Sequence, residues 1–195
     1  MRKPDRISLL GGPQNTLGVE VNILILGPGN SRQRMDRAAF SENPDEKLTV
    51  IDYNPDVLKI WGDATCMKAD LRQPPFPLSS SHFDEVHAYE LLNLLPGDEG
   101  AFFAFWREIW RIMVPGGKVY ASVPHWESQW IYAYPSPQRV YTPGLLTYLD
   151  QDHHVVAKEA FDTLWPRPYC FKVDSSSSMR VEGSNIGYRF IMVKA

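Results

Sequence analysis

Short runs of aliphatic and β-branched residues alternate along the chain with stretches whose apolar residues recur at helical spacing. The short runs are typical of buried strands, and the stretches between the early runs are typical of helices. We therefore predict an α/β fold with a parallel sheet and crossover helices. The last two runs lie too close in sequence for a helix crossover, so they are predicted to pair antiparallel as a hairpin. Seven strands are predicted, at residues 21–27, 47–52, 64–70, 83–90, 117–124, 169–175 and 187–194.

Helices are predicted at residues 31–41, 54–62 and 98–113, with a short one within 143–150. The second begins with Asn54 as N-cap and Pro55 at the first helical position. The third has a continuous apolar stripe, so its aromatic residues are assigned to the core. The stripe consists of Phe102, Trp106, Ile109 and Met113, and the run Pro115, Gly116, Gly117 is expected to end the helix.

Composition narrows the class of protein. The chain has 195 residues, 44% of them hydrophobic, which predicts a single domain over 1–195. Residues 1–20 have the character of an irregular arm, and 125–150 that of an aromatic, proline-rich loop covering a site. The net charge of −3 gives no overall attraction to nucleic acid or an anionic membrane. No apolar run is long enough to span a bilayer.

Two cysteines without a secretory signal indicate a cytoplasmic protein with reduced thiols, although the sequence leaves a disulfide between them open. Cys66 is interpreted as a small core residue of the third strand.

The first strand runs directly into Gly27, Pro28, Gly29 and Asn30. Such a turn before a helix places backbone N–H groups at the carboxyl edge of the sheet, where a ligand can approach the main chain. A glycine in such a turn can also serve only to allow a positive φ. The second strand ends in Asp52, where a carboxylate can bind both hydroxyls of a ribose; the alternative is a turn former before Asn54. Together, turn and carboxylate predict a site for a nucleoside cofactor.

The third glycine of a dinucleotide-binding turn is replaced by Arg32. A pyrophosphate needs that close glycine contact, whereas a cofactor without phosphate does not. The substitution therefore argues against NAD and favours S-adenosylmethionine.

Five segments in succession resemble the motifs of the class I S-adenosylmethionine-dependent methyltransferases, in particular the small type 11 group. They are ILILGPGNS, LTVIDYNP, ADLRQPPFPLSSSHFDEVHAYELLNLL, FWREIWRIMVPGGKVYASVP and SPQRVYTPGLLTYL. The resemblance covers about residues 21–150. It implies a Rossmann-like, mostly parallel seven-stranded sheet of order 3-2-1-4-5-7-6, with helices on both faces and strand 7 antiparallel.

The resemblance also implies a set of cofactor-binding residues. The glycine turn would meet the methionine half of the cofactor, and Asp52 would bind the ribose hydroxyls. Tyr53 would lie against the adenine, with Asp70 and Leu71 by its amino group. Tyr89 and Glu90, which end the fourth strand, would lie at the point where cofactor and acceptor meet. The full set is Gly27, Pro28, Gly29, Asn30, Asp52, Tyr53, Asp70, Leu71, Tyr89 and Glu90.

Four positions depart from the family pattern. Ile25 replaces an acidic residue that anchors the glycine turn, and Ser31 replaces a glycine. Asn93 and Leu94 stand where the family often has a glutamate and a histidine after the fourth strand. One candidate catalytic base is therefore missing, which leaves cofactor binding better supported than catalysis.

Glu90 and His125 are the candidate catalytic residues. Glu90 could instead bind the cofactor's ammonium group or form an ion pair, and His125 could be an ordinary loop histidine. His87, inside a strand, is interpreted as packed or partnered, and the pair His153 and His154 as a solvated turn rather than a metal site. The loop aromatics could form a lid over the acceptor or pack the loop onto the sheet; they are Trp126, Trp130, Tyr132 and Tyr134.

The predicted function is methyl transfer to an oxygen or nitrogen nucleophile of a small-molecule or protein acceptor. DNA is disfavoured as the acceptor because no Asn/Asp-Pro-Pro-Tyr/Phe tetrapeptide follows the fourth strand. The alternatives are a protein that binds S-adenosylmethionine without turnover or only with a partner, and, less favoured, an NAD-dependent oxidoreductase.

Overall fold

Seven strands form one sheet in the order β3-β2-β1-β4-β5-β7-β6, which confirms the predicted order. The computed structural model describes residues 20–29, 32, 45–133, 139–150, 171–180 and 186–195. The pairs among β1 to β5 are parallel, and β7 runs antiparallel between β5 and β6. The strands are β1 (Val21–Leu26), β2 (Glu46–Asp52), β3 (Thr65–Lys68), β4 (Phe83–Tyr89), β5 (Met113–Pro124), β6 (Phe171–Arg180) and β7 (Ile186–Lys194).

The described helices are α1 (Pro55–Ile60), α2 (Glu99–Ile112), α3 (Trp130–Ala133) and α4 (Pro143–Leu146), with a 3₁₀ turn at Leu92–Leu94. Asn54 caps α1 as predicted, since its side chain accepts a hydrogen bond from the backbone of Asp56 at 3.0 Å. Most of the arm 1–20 and all of the predicted helix 31–41 except Arg32 lie outside the described residues, as do Asn30, Tyr134, His153 and His154.

The end of α2 differs from the prediction. The helix stops at Ile112 rather than at the Pro-Gly-Gly run, because Met113 already has an extended backbone with ψ of 150°. β5 therefore begins four residues earlier than expected, and the register against β4 shifts where the run lies. The serine-rich segment belongs to β6, which extends to Arg180 instead of ending near residue 175.

Apolar side chains pack on both faces of the sheet because successive strand residues point to opposite sides. Leu24 and Leu26 join the larger cluster, which contains the whole predicted stripe of α2. Ile23 and Ile25 join a smaller cluster with Trp61 on the opposite face. The assignment of the helix stripe to the core is thus confirmed.

Two side chains lie where the pattern did not place them. Cys66 is an exposed free thiol rather than a core residue, because β3 is the short edge strand; its sulfur lies 3.3 Å from the carbonyl of Trp61. Glu108 is buried on α2, where its carboxylate binds the Phe76 backbone N–H at 2.7 Å and the Arg111 guanidinium at 2.6 Å. Across the described part of the chain, the helices are too short or too polar to cross a membrane.

Candidate cofactor site

The turn after β1 is held in a backbone conformation that suits glycine. Gly27 and Gly29 have φ of +53° and +54°. A Cβ on Gly27 would lie only 2.7 Å from Cδ1 of Leu91, whereas one on Gly29 would meet nothing within 4 Å. The N–H of Gly27 donates to the carbonyl of Ile51 at 2.8 Å, which fastens the turn to the end of β2.

A cleft of about 450 Å³ opens beside this turn. It lies where β1 is flanked by β2 on one side and β4 on the other, the point at which the strand order reverses. Open α/β sheets bind ligands at that point, outside the carboxyl ends of the strands. Six of the predicted cofactor-binding residues line it, namely Gly27, Gly29, Asp52, Tyr53, Asp70 and Leu71.

Asp52 takes part both in the turn after β2 and in the lining of the cleft. It ends β2 and is buried, with 7% of its surface exposed. Its Oδ1 accepts the backbone N–H of Asn54 at 2.8 Å, so the turn-forming alternative is also realised. Among the described residues, Oδ2 receives no hydrogen bond. Asp52 also lines the cleft.

Tyr53 presents an aromatic ring to solvent beside the cleft, with 71% of its surface exposed. A large exposed aromatic at the wall of a cleft is a typical feature of a binding site, because the ring loses water contact only when a ligand covers it.

Asp70 is already engaged by its own loop. Arg72 donates from Nε to Oδ1 and from Nη2 to Oδ2, both at 2.8 Å, and its backbone N–H reaches Oδ1 at 3.0 Å. These hydrogen bonds lower the pKa of the Asp70 carboxyl. Arg72 also lines the cleft, although it is not among the residues predicted from the sequence.

Trp61 forms a hydrogen bond to the glycine turn, a contact that the sequence analysis did not predict. Its fully buried indole donates from Nε1 to the carbonyl of Gly29 at 3.4 Å. The guanidinium of Arg32 lies 4.6 Å from the centre of the Trp61 ring and forms a bidentate ion pair with Asp63 at 2.6 and 2.8 Å. Arg32, at the position of the missing glycine, is thus directed to the outside of the turn.

Glu90 follows β4 with an unusual backbone. Its φ is +51°, a conformation that non-glycine residues rarely adopt and that occurs preferentially at functional sites. Ser122 fixes it from the neighbouring strand, where the hydroxyl donates to Oε1 at 3.0 Å and the carbonyl accepts the Glu90 N–H at 2.8 Å. Desolvation at this strand end raises the pKa of the carboxyl, although the residue as a whole is exposed. Glu90 is adjacent to Leu91, which lines the cleft, but is not itself part of the lining.

Tyr89 is turned away from the cleft and toward the strand. Its hydroxyl lies 2.5 Å from Nδ1 of His87, and Nε2 of His87 lies 2.9 Å from Glu85. The ring of His87 also stacks on Tyr120 at 4.8 Å. His87 is therefore buried and partnered, as predicted.

His125 is buried on the far side of β5, outside the cleft lining. Nδ1 accepts the Glu127 backbone N–H at 3.2 Å, so Nε2 carries the proton of the neutral ring and donates to the Ser178 hydroxyl at 3.0 Å. The ring stacks on Trp126 at 3.7 Å, and Trp126 in turn packs against the larger core cluster. Tyr132 remains exposed, with its hydroxyl bound to the Trp126 carbonyl at 3.0 Å.

The segment after β4 forms an apolar wall. Leu94 and Leu95 line the cleft, and Asn93 is buried, with no hydrogen-bond partner for its Oδ1 among the described residues. No group of three metal-binding side chains occurs within the described ranges.

Several of the solved structures that resemble this chain are methyltransferases. An S-adenosylmethionine-dependent methyltransferase from Methanosarcina mazei aligns with a TM-score of 0.61 at 15% identity, covering 92% of this chain and 95% of its own. The class I methyltransferase fold is therefore the fold of this chain.

Two further structures carry the same fold. The N-methyltransferase NodS from Bradyrhizobium japonicum, solved with S-adenosylhomocysteine, aligns with a TM-score of 0.57 at 13% identity, covering 90% of this chain and 79% of its own. A chain from the complex between the Haloferax volcanii Trm112 methyltransferase activator and a methyltransferase aligns with a TM-score of 0.59 at 16% identity, covering 90% of this chain and 84% of its own. No protein-family model and no curated protein sequence matches the chain. At these identities, the methyltransferase fold is shared, and the site's chemistry rests on its own residues.

Proposed function

We propose that the chain binds S-adenosylmethionine in this cleft and transfers its methyl group to an oxygen or nitrogen nucleophile of a small-molecule or protein acceptor. The observation that carries the proposal is the pairing of Asp52 with the glycine turn. One carboxylate oxygen of Asp52 accepts the Asn54 N–H in the turn after β2, and the other receives no hydrogen bond from a described residue. Asp52 and the glycine turn line the same cleft. The exposed ring of Tyr53 adds a surface for a nucleobase.

The residues present fit such a cofactor in kind. Gly27 and Gly29 line the cleft, Asp52 would hold the ribose hydroxyls, and Tyr53 and Leu71 would flank the base. When bound, S-adenosylmethionine supplies a methyl group on a sulfonium, which is a good leaving group. The protein therefore has mainly to align the acceptor, and a base is needed only for acceptors that hold their proton firmly.

Glu90 is the proposed proton acceptor. It lies at the strand end next to the cleft, and its raised pKa makes the carboxylate a better base than an ordinary glutamate. His125 is the less favoured candidate, since it lies outside the cleft lining and both of its ring nitrogens already have hydrogen-bond partners. Because Ser122 already binds one oxygen of Glu90, the other oxygen is the one proposed to face the acceptor.

The first experiment is a calorimetric titration with S-adenosylmethionine, S-adenosylhomocysteine and NADH. The Asp52→Asn variant retains an oxygen for the Asn54 N–H but loses the charge, so we expect its affinity for both sulfur nucleosides to fall about 10- to 100-fold, the worth of a charge-assisted hydrogen bond. Asp56→Ala, which removes an exposed carboxylate paired with Lys59, is the matched control and should bind normally.

Absence of binding to the folded protein, or a preference for NADH, would refute the proposal. Binding without methyl transfer to a panel of amines, phenols and carboxylates would favour the alternative of a binding protein that lacks turnover or needs a partner.

A further inference from the structure

The carboxylate expected to read the adenine amino group has no acceptor capacity left. A carboxylate offers about four lone-pair positions on its two oxygens. Oδ1 of Asp70 accepts from the backbone N–H and from Nε of Arg72, and Oδ2 accepts from Nη2 of Arg72 and from the Gln73 amide at 3.4 Å. Four donors thus occupy four positions. An amino group of a ligand could bind Asp70 only by displacing one of them.

Arg72 offers the opposite chemistry at the same wall of the cleft. Nε and Nη2 are held by Asp70, while Nη1 has no hydrogen bond to any described residue. Arg72 lines the cleft between Leu71 and the apolar wall, and its side chain is 61% exposed. A ligand that enters therefore meets an oriented guanidinium donor instead of a free carboxylate acceptor.

Purines distinguish these two kinds of partner. The 6-amino group of adenine donates, N7 accepts in every purine, and a 6-oxo group accepts. Arginine pairs with O6 and N7, whereas a group that reads adenine at both N6 and N7 must accept as well as donate.

We propose that Arg72 contacts the nucleobase of the ligand through acceptor atoms of the purine, and that Asp70 is a positioning residue that holds Arg72. The inference rests on the proposed function, since it concerns the same cleft. It predicts that the site does not select for a 6-amino group and takes 6-oxopurine thioether nucleosides as well.

The test compares two ligands by calorimetry, S-adenosylhomocysteine and its 6-oxo analogue S-inosylhomocysteine. For the wild type, we expect the two dissociation constants to agree within about threefold, or the analogue to bind tighter, since one hydrogen bond from a charged donor changes affinity by about tenfold or more. Arg72→Ala should weaken binding of the 6-oxo analogue by about tenfold or more. Asp70→Asn should weaken both ligands by similar factors, because it acts through Arg72.

Lys68→Ala is the matched control. It removes an exposed cation from the end of β3, outside the cleft lining, and should leave both affinities unchanged. Thermal unfolding of each variant verifies that it is folded, which the exposure of Arg72 favours.

Three results separate the possible failures. A wild-type preference for S-adenosylhomocysteine of about tenfold or more, lost in Asp70→Asn and kept in Arg72→Ala, would show that Asp70 reads the amino group and would overturn this inference alone. Unchanged affinity of Arg72→Ala for both ligands would also overturn it. If neither ligand binds the folded wild type, the proposed function and this inference both fail.

Discussion

Replacing Gly27 with alanine tests whether the turn after β1 requires a residue without a side chain. A Cβ in the left-handed region costs about 1–2 kcal/mol. The added carbon would also lie 2.7 Å from Cδ1 of Leu91, and Leu91 packs against the larger core cluster, so its displacement adds about 1–2 kcal/mol of overpacking. We expect Gly27→Ala to lower the free energy of unfolding by about 2–4 kcal/mol, measured by urea denaturation.

Two companion variants separate the cost of the positive φ from the cost of the overlap with Leu91. Gly116 also has a positive φ, of +77°, but a Cβ there would meet nothing within 4 Å, so Gly116→Ala should lose only the backbone part, about 1–2 kcal/mol. Leu91→Ala removes the clashing atoms, so the double variant with Gly27→Ala should be more stable than the sum of the single losses predicts, by about 1–2 kcal/mol.

The same variants report on ligand approach. Gly27→Ala should abolish binding of S-adenosylhomocysteine, whereas Gly116→Ala, far from the cleft lining, should bind normally. Equal losses of stability for Gly27→Ala and Gly116→Ala would contradict the overlap with Leu91. Normal binding by folded Gly27→Ala would show that the ligand does not approach this part of the main chain.

Three further outcomes are expected. Glu108→Ala should cost about 3 kcal/mol in urea denaturation, because it leaves the Phe76 N–H buried without an acceptor and Arg111 without its carboxylate; a loss below about 1 kcal/mol would contradict this. Desolvation raises the pKa of Glu90, so the folded protein holds that proton to higher pH than the unfolded chain. The stability of the wild type should therefore fall relative to Glu90→Gln as the pH rises from 4.5 through the raised pKa. A parallel pH dependence of the two proteins would refute the raised pKa of Glu90. Trp61→Phe should weaken binding of S-adenosylhomocysteine about three- to tenfold by removing the hydrogen bond to the turn, and unchanged affinity would leave Trp61 a packing role only.

The features that the sequence predicted correctly are those with a local or periodic signal. The strand runs and the hairpin spacing predicted the strands and the terminal antiparallel pair, and the family resemblance implied the strand order. Asn54 before Pro55 predicted the start of α1. Asp52 could be placed at the cleft because a strand end fixes where its last side chain lies. These signals depend on neighbours in sequence, which a single chain makes visible.

The features that escaped prediction depend on partners that the sequence does not mark. Glu108 lies among hydrophobic residues on α2, and its burial follows from a backbone N–H 32 positions earlier. Asp70 matches its motif, but the pattern gave no weight to the arginine two residues later that fills its oxygens. Cys66 is interpreted as a core residue from its type alone, although the strand order implied by the resemblance already places the third strand at the edge of the sheet.

Ile25 stands where the family pattern has an acidic residue that anchors the glycine turn, and the structure holds this turn in another way. Ile25 lies in the smaller apolar cluster with Trp61, where an unpaired carboxylate would be costly. The turn is instead held by Trp61, whose indole donates to the Gly29 carbonyl, while Arg32, paired with Asp63, lies over the indole ring. Ile25 and Trp61 therefore act together, since the aliphatic side chain lies in the same apolar cluster as the indole that supports the turn. An apolar residue at position 25 is therefore compatible with the cofactor binding proposed for this cleft.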